Sequence, residues 1–324
     1  MSNEKIFPII SEQIYTDDVL GFFRANYNEI GGLWWSHQIK WITEAYSTFK
    51  DLEKYLIVIF LVKKTLDTYN KNLIRFTYKS FYEMEKIEIE KFNIVEISKA
   101  LNLPKETARR KITELENTGK IQRYKKKIIL DRTVFPQVKP INSTVRISTY
   151  LSKFSELLKK DGIIRNSYTS QEILEFIHQN FINCWALFLG LQIPIILRWK
   201  THFKSIDNWF IWAICGFNKT LNKEIKKTKR SIDEYADAIN ETRIIGLNAM
   251  SISEMSGIPR ATVVRKLNYL VKNNSLIIDS RKHYHPNDIK LNEIKKKGLS
   301  SMTDLANFCT NIFNLMENSK INKF

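Results

Sequence analysis

One pattern of residues occurs twice in this chain, 155 positions apart, and it constrains the fold more than any other feature. The first copy, Phe92 to Leu130, reads FNIVEISKALNLPKETARRKITELENTGKIQRYKKKIIL, and the second, Ile252 to His285, reads ISEMSGIPRATVVRKLNYLVKNNSLIIDSRKHYH. At this shift an apolar stripe and two prolines coincide: Ala108, Ile112, Leu115 and Pro104 with Val263, Leu267, Leu270 and Pro259. Chance rarely preserves both an apolar stripe and a basic face, so the sequence predicts a duplicated structural unit.

Each copy is predicted to form two short helices followed by a strand hairpin. In the first copy, apolar residues of the segment 94–100 recur at helical spacing. Pro104 is expected as the first residue of the next helix, where its missing N–H would be unpaired anyway, and Gly119 is expected to end that helix. Short strands are expected on either side of a basic loop from Arg123 to Lys127.

A helix, a turn, a basic helix and a basic hairpin together resemble the winged helix-turn-helix of bacterial transcription regulators of the MarR, GntR and Crp types. The two units lie at about 87–135 and 242–290, and the resemblance covers about 80 residues in total. The resemblance implies that the second helix of each unit enters the major groove of DNA and that the hairpin contacts the sugar-phosphate backbone.

The resemblance assigns DNA contacts to the basic faces of both units. On the reading helices these residues are Lys105, Thr107, Arg109, Arg110, Arg260, Thr262, Arg265 and Lys266. On the hairpins they are Arg123, Lys125, Lys126, Lys127, Arg281 and Lys282. Arginine can donate two hydrogen bonds to guanine, threonines in a first helical turn suit a phosphate, and hairpin cations add affinity and salt dependence more than sequence choice.

The two reading faces differ in sequence. The shift aligns Lys105, Glu106 and Arg109 with Arg260, Ala261 and Val264. Units with different faces are expected to read different half-sites. The sequence therefore predicts an asymmetric operator whose half-site centres lie about 10 base pairs apart.

The duplication extends beyond these units. The segment YTDDVLGFFRANYNEI from Tyr15 resembles YTSQEILEFIHQNFIN from Tyr168. We therefore expect a mainly α protein with two domains, 10–160 and 163–318, each a helical scaffold plus a winged unit. Helices are predicted at Leu52–Leu66, Ile147–Leu158 and Met302–Met316. In MarR-like proteins the terminal helices of two subunits pack together, and the resemblance implies the same pseudo-dimer within this one chain.

Charge and cysteine content bear on partners and compartment. The net charge is +17, and residues 91–132 carry 12 Lys/Arg against 5 Asp/Glu, which favours an anionic partner such as double-stranded DNA. The three cysteines form no metal or disulfide spacing, which indicates a reducing cytoplasm. The apolar stretch 181–197 approaches the length of a bilayer span, but its repeat counterpart 27–43 is polar, so a core helix is expected rather than a membrane segment.

Several alternatives stay open at this point. The sequence contains no nucleotide-binding, nucleophile-elbow or zinc signature, so neither an enzyme nor a cofactor is predicted. Tandem winged helices also occur in plasmid replication initiators and in protein-binding scaffolds, and RNA binding remains an alternative. Seven tryptophans are more typical of a core than of a small-molecule effector pocket: Trp34, Trp35, Trp41, Trp185, Trp199, Trp209 and Trp212. A homodimer formed through terminal helices, and a metal or pH response of His283 and His285, are further alternatives.

Overall fold

Helices make up most of the described chain, as the sequence predicts. The computed structural model describes residues 13–125, 127–133, 141–220, 231–234, 246–287 and 291–321. The first repeat contains α1 (Thr16–Ala25), α2 (Tyr27–Phe49), α3 (Leu52–Lys71), α4 (Tyr78–Glu83), β1 (Lys86–Ile89), α5 (Ile94–Ala100), α6 (Lys105–Asn117), β2 (Ile121–Tyr124), β3 (Lys127–Asp131) and α7 (Ile141–Lys160).

The second repeat follows the same order. It contains α8 (Ser170–Gln179), α9 (Phe181–Phe203), α10 (Ile206–Thr220), α11 (Ala249–Ser256), α12 (Arg260–Lys272), β4 (Leu276–Ile278), β5 (Tyr284–Pro286) and α13 (Leu291–Ile321). The ends of the second helices also correspond. Lys50 directly follows α2 and Lys204 directly follows α9, and both have a left-handed backbone, with φ of 53° and 64°. The helices that close the repeats, α7 and α13, are both longer than the sequence predicts.

Unit 1 (residues 86–131) and unit 2 (residues 247–286) each combine two helices with a small antiparallel sheet. In unit 1 the strand order is β1-β3-β2, with Ile87 opposite Leu130 and Ile121 opposite Leu130 on the other side. In unit 2, β4 pairs with β5. A single β-bridge between Leu247 and Tyr284 takes the place of the β1–β3 pairing of unit 1.

Two details of unit 1 differ from the sequence predictions. Pro104 lies just before α6 with an extended backbone, φ −54° and ψ 137°, so the helix begins one residue later, at Lys105. The strands extend further than expected, because Arg123 and Lys127 lie inside β2 and β3. The connection is therefore a tight turn through Lys125, whose φ is 54°, and Lys126 lies outside the described residues.

Helices of the two repeats alternate in the core. The first helix of each repeat packs against the last helix of the other, α1 on α13 and α8 on α7. The third helix of each repeat packs against the second helix of the other, α3 on α9 and α10 on α2. One continuous cluster of buried apolar residues runs through both repeats. Neither repeat therefore has a hydrophobic core of its own.

Two equivalent glutamines meet at the centre of this arrangement. The Gln38 amide nitrogen donates to the Gln192 side-chain oxygen at 3.0 Å, and both residues are buried. These residues stand 154 positions apart and occupy the same place in α2 and α9. A residue contacts its own equivalent only near a twofold axis, so the contact locates a pseudo-twofold axis between the repeats.

The apolar helix α9 is the main candidate for a membrane span among the described residues. Phe181–Phe203 is long and apolar enough to cross a bilayer, but 67% of its most apolar window is buried within the protein. Its neighbours are α3, α10 and α13. Six of the seven tryptophans are likewise buried, namely Trp34, Trp41, Trp185, Trp199, Trp209 and Trp212.

The glutamine pair gives a test of the axis. Gln192→Leu should lower the free energy of unfolding by about 1–3 kcal/mol, because the Gln38 amide then lacks its partner in an apolar core. The double variant Gln38→Leu/Gln192→Leu should recover most of this loss, because neither partner is left unpaired. Urea unfolding of both single variants and the double variant measures this coupling. Additive single and double effects would show that the glutamines do not interact.

Candidate nucleic-acid interface

A tight turn precedes the second helix of each unit, and both turns are built in the same way. The Ser98 hydroxyl donates to the carbonyl oxygen five residues later at 2.6 Å, and the Ser253 hydroxyl does the same at 2.7 Å. The left-handed residue of the turn is Asn102 in unit 1 and Gly257 in unit 2. Asparagine and glycine are the residues that adopt this conformation at least cost, so both sequences suit the same left-handed turn.

A lysine on the inner side of α6 anchors this helix to the scaffold. The Lys111 ammonium contacts the carboxylates of Asp51 and Glu53, at 2.5 and 3.2 Å, and the residue is only 5% exposed. Asp51 also caps α3 by accepting two backbone N–H groups. Burial disfavours the charged form of Asp51, but Lys111 and these N–H groups outweigh it and hold the pKa of Asp51 below its ordinary value. The anchor fixes α6 against the start of α3.

Lys266 repeats this anchor in unit 2 and does not lie on the exposed face where the sequence analysis expected it. Its ammonium is 3.3 Å from the Ser205 hydroxyl and 3.6 Å from the Asp207 carboxylate, at the start of α10. Ser205 and Asp207 stand 154 positions after Asp51 and Glu53. Burial raises the pKa of Asp207, and Lys266 offsets this only in part.

Each turn is also held by the long helix of the opposite repeat. The Lys200 ammonium, from α9, donates to the carbonyl oxygens of Leu101 and Asn102 at 3.1 and 2.8 Å. Burial lowers the pKa of Lys200, and Glu53 offsets this in part. The ring of Tyr46, the equivalent residue in α2, lies beside Gly257 in unit 2. Each turn thus lies against an equivalent residue of the second helix of the opposite repeat.

The exposed face of α6 carries ion pairs within the helix. Arg109 pairs with Glu106 at 3.0 Å, and Arg110 pairs with Glu114 at 3.3 Å. Lys105 is exposed and Thr107 is half-buried in the first turn. The helix contains four cations and three carboxylates, so its net charge is only +1.

The exposed face of α12 is different in chemistry. Arg260 and Arg265 are exposed and Thr262 is half-buried, while Ala261 and Val264 replace the Glu106–Arg109 ion pair of unit 1. This helix contains four cations and no carboxylate, so its net charge is +4. Val264 is 36% exposed, which presents an apolar surface between the two arginines. At both positions, an ionic residue of unit 1 is replaced by an apolar residue in unit 2.

The hairpins also differ in how they present their charge. In unit 1, Arg123 pairs with Glu116 at 2.6 Å and Lys127 pairs with Glu88 at 3.0 Å. In unit 2 the Asp279 carboxylate accepts the backbone N–H groups of residues 281 and 283, each at 2.9 Å, and this bonding holds the pKa of Asp279 below its ordinary value. The turn that Asp279 shapes exposes Arg281 and Lys282.

The predicted site residues therefore fall into three groups. Four carry an acidic partner on the protein surface: Arg109, Arg110, Arg123 and Lys127. Six are exposed and have no acidic partner among the described residues: Lys105, Lys125, Arg260, Arg265, Arg281 and Lys282. Lys266 points inward, the two threonines are half-buried, and Lys126 lies outside the described residues. Unit 2 supplies most of the cations that are available to an anionic partner.

Apart from Lys266, the residues that hold these helices were not predicted as site residues from the sequence. Asp51 carried a signal, since an aspartate directly before a long apolar run is a typical N-cap. Lys111 carried one too, because it aligns with Lys266 and would sit on the inner side of its helix. The sequence gives no indication of the roles of Lys200 and Tyr46. Each lies against the turn of the unit in the other repeat, and the two residue types differ.

Comparison of the chain with models of protein families, with curated protein sequences and with solved structures gives no significant match.

The Asp51 anchor gives a test that depends on pH. Asp51→Asn keeps an N-cap side chain but removes the charge, so it should lower the free energy of unfolding by about 1–2 kcal/mol at pH 7. Because the pKa of Asp51 is lower in the folded protein, its contribution is complete above the unfolded value of about 3.9 and is lost as the pH falls through the folded value. The difference between wild type and variant should therefore shrink as the pH falls below about 3.9.

Thermal unfolding of both proteins between pH 7 and pH 3 measures this difference. Asp67→Asn is the matched control, because Asp67 forms an exposed ion pair with Lys63 and its loss should cost less than about 1 kcal/mol. An Asp51→Asn deficit that stays constant throughout the acid range would show that the carboxylate charge is not what anchors α6.

Proposed function

We propose that this chain is a sequence-specific, double-stranded DNA-binding transcriptional regulator whose two winged helix-turn-helix units form a pseudo-dimer within one polypeptide. In this proposal α6 and α12 are the reading helices, and the β2–β3 and β4–β5 hairpins are the wings. The scaffold helices take the part that the second subunit plays in a dimeric regulator.

The topology of each unit supports this assignment. In unit 1 the order β1-α5-α6-β2-β3, with β3 between the other two strands, places the hairpin beside the reading helix. Unit 2 repeats the turn and the second helix 155 positions later. The Ser253 hydroxyl donates to the carbonyl oxygen five residues later, as the Ser98 hydroxyl does in unit 1. A protein needs this arrangement to present one helix to a groove and one hairpin to the flanking backbone.

One observation carries the proposal further than charge alone. The inner faces of α6 and α12 are held by equivalent anchors, Lys111 and Lys266, whereas the exposed faces have diverged. Equivalent anchoring with different outer surfaces is what two readers of unlike half-sites require, and the exposed arginines Arg110 and Arg265 occupy equivalent positions on both helices.

The two faces favour different bases. An arginine such as Arg110 suits guanine, whose O6 and N7 accept two hydrogen bonds. Val264 suits the methyl group of thymine, which an apolar side chain contacts in the major groove. The preferred operator is accordingly asymmetric, and the half-site read by unit 2 includes thymine near its centre.

Selection of duplexes from random sequence, followed by footprinting across a salt series, tests the proposal. The expected result is one protected site with two unlike half-sites and an affinity that falls as salt rises. Iterated direct repeats would instead indicate a replication initiator. Absence of protection on any duplex would contradict the proposal and favour a protein-binding scaffold.

Single variants separate the two kinds of contact. Arg265→Ala should weaken binding to the selected site by about 1–3 kcal/mol and relax its sequence preference, because a reading-helix arginine is removed. Lys282→Ala should weaken binding to all duplexes similarly and reduce the salt slope by about 1, because a phosphate contact is removed. Lys153→Ala is the control, since this lysine lies on α7, outside both units, and pairs with Glu156 at 3.0 Å. Gel-shift titrations measure all three, and equal behaviour of the three variants would contradict the assignment.

A face exchange tests the asymmetry. The double variant Ala261→Glu/Val264→Arg gives α12 the ion pair that α6 carries, and selection should then return a more nearly palindromic site, because both units present the same chemistry. The anchor Lys266 is unchanged in this variant. An unchanged asymmetric site after the exchange would show that these two positions do not choose bases.

A further inference from the structure

Two equivalent helix junctions connect the scaffold to both units. Junction 1 (residues 50–53) links α2 to α3, and junction 2 (residues 204–207) links α9 to α10. The carboxylates of junction 1 hold the Lys111 ammonium of unit 1, and Ser205 and Asp207 of junction 2 hold the Lys266 ammonium of unit 2. Each junction therefore touches the inner side of the second helix of its own unit.

Each junction also lies close to the unit of the opposite repeat. Lys200, one helical turn before junction 2, donates to the turn of unit 1 and lies 3.7 Å from the Glu53 carboxylate of junction 1. Tyr46, one helical turn before junction 1, lies beside Gly257 in the turn of unit 2. The two junctions are therefore neighbours, and both lie beside the residues that lead into α6 and α12.

The charged groups of the junctions form a balanced inner set and an exposed pair. The inner set consists of three carboxylates and the three ammonium groups that they contact: Asp51, Glu53 and Asp207 with Lys111, Lys200 and Lys266. The exposed pair is Lys50 and Lys204, which form no ion pair among the described residues. Because the inner charges cancel, the exposed pair leaves a net positive charge between the two units.

The backbone at Lys50 and Lys204 does not by itself explain why both residues are lysine. Their φ angles are 53° and 64°, in the left-handed region that glycine and asparagine adopt at lower cost. A lysine at a helix C-terminus is favoured by the helix dipole. A stabilising role and a ligand contact therefore predict different effects of glycine at these positions, since glycine removes the charge and keeps the backbone.

The proposed complex places phosphates opposite this pair of lysines. When two helices enter major grooves one helical turn apart, the minor groove between them faces the protein and has phosphates along both edges. The helices α2 and α9 are buried in the scaffold over much of their length. Their exposed ends at Lys50 and Lys204 therefore project from the scaffold on the side where it holds the two units.

We propose that Lys50 and Lys204 bind phosphates at the centre of the operator, on the two edges of the minor groove between the half-sites. This inference rests on the proposed function. The two lysines contribute affinity and fix the register of the protein on the duplex, and they read no bases. Each phosphate that they neutralise adds about 0.9 to the slope of log affinity against log salt concentration.

The double variant Lys50→Gly/Lys204→Gly tests the proposal, because glycine suits the left-handed backbone. Its salt slope on the selected site should be smaller by about 2, and its affinity loss should be about tenfold larger at about 50 mM than at about 200 mM salt. Lys50→Arg/Lys204→Arg should keep the wild-type slope, because arginine also binds phosphate. Lys159→Ala is the matched control, since Lys159 is exposed in the last turn of α7 and lies outside both units. An unchanged slope in the glycine variant would overturn the proposal.

Ethylation interference on the wild-type protein tests the same contact without a variant. An ethyl group on a central phosphate removes its charge and should prevent binding, as ethylation within either half-site should. Interference in the half-sites alone would overturn this proposal and leave the proposed function intact. Failure to bind any duplex would contradict both.

Discussion

The exchange of helices between the repeats is the constraint on which the rest of the structure depends. α9 is apolar on nearly every side, and the helices that cover it include α3, which belongs to the other repeat. The same exchange brings α10 onto α2 and pairs the first helix of each repeat with the last helix of the other. A separated repeat would expose these apolar faces to water, so hydrophobic burial makes the two repeats one cooperative body.

A single chain with this internal symmetry is free to diverge where a dimer of identical subunits is not. Glu44 and Arg198 occupy equivalent positions in α2 and α9 and have opposite charges. Each nevertheless forms an ion pair with the closing helix of its own repeat, to Arg146 at 2.7 Å and to Asp304 at 2.8 Å. In a homodimer one substitution would change both sites at once. In this chain both positions form an ion pair, although the residue at the position is negative in the first repeat and positive in the second.

The unit surfaces show the same freedom at a larger scale. The Glu116–Arg123 ion pair of unit 1 is replaced by Val271 and Ile278 in unit 2, and Ile278 is 46% exposed. These changes lie outside the anchors of α6 and α12. The anchoring lysines, Lys111 and Lys266, are the same in both units, whereas the outer positions differ in chemistry.

Local sequence signals were sufficient for the parts of the fold that depend on neighbouring residues. The helices of both units, the turn and the glycine that ends α6 could be predicted, because periodicity, caps and positive φ act over a few residues. The strand Lys86–Ile89 was not predicted, because it forms its hydrogen bonds with β3, which lies about forty positions later in the chain. The inward direction of Lys266 was missed for a similar reason, since Asp207 comes from a different helix.

The anchors and the axis together determine how far apart α6 and α12 lie. Eight residues separate Gln38 from Tyr46 and Gln192 from Lys200, about 12 Å of helix on either side of the axis. Lys200 donates to the turn of unit 1, and Tyr46 lies beside Gly257 in the turn of unit 2. The helices that meet at the axis therefore also reach both units. A change in their spacing would require repacking of the shared core around the glutamine pair. In the proposed function, a duplex has to match the distance between α6 and α12 that this shared core sets.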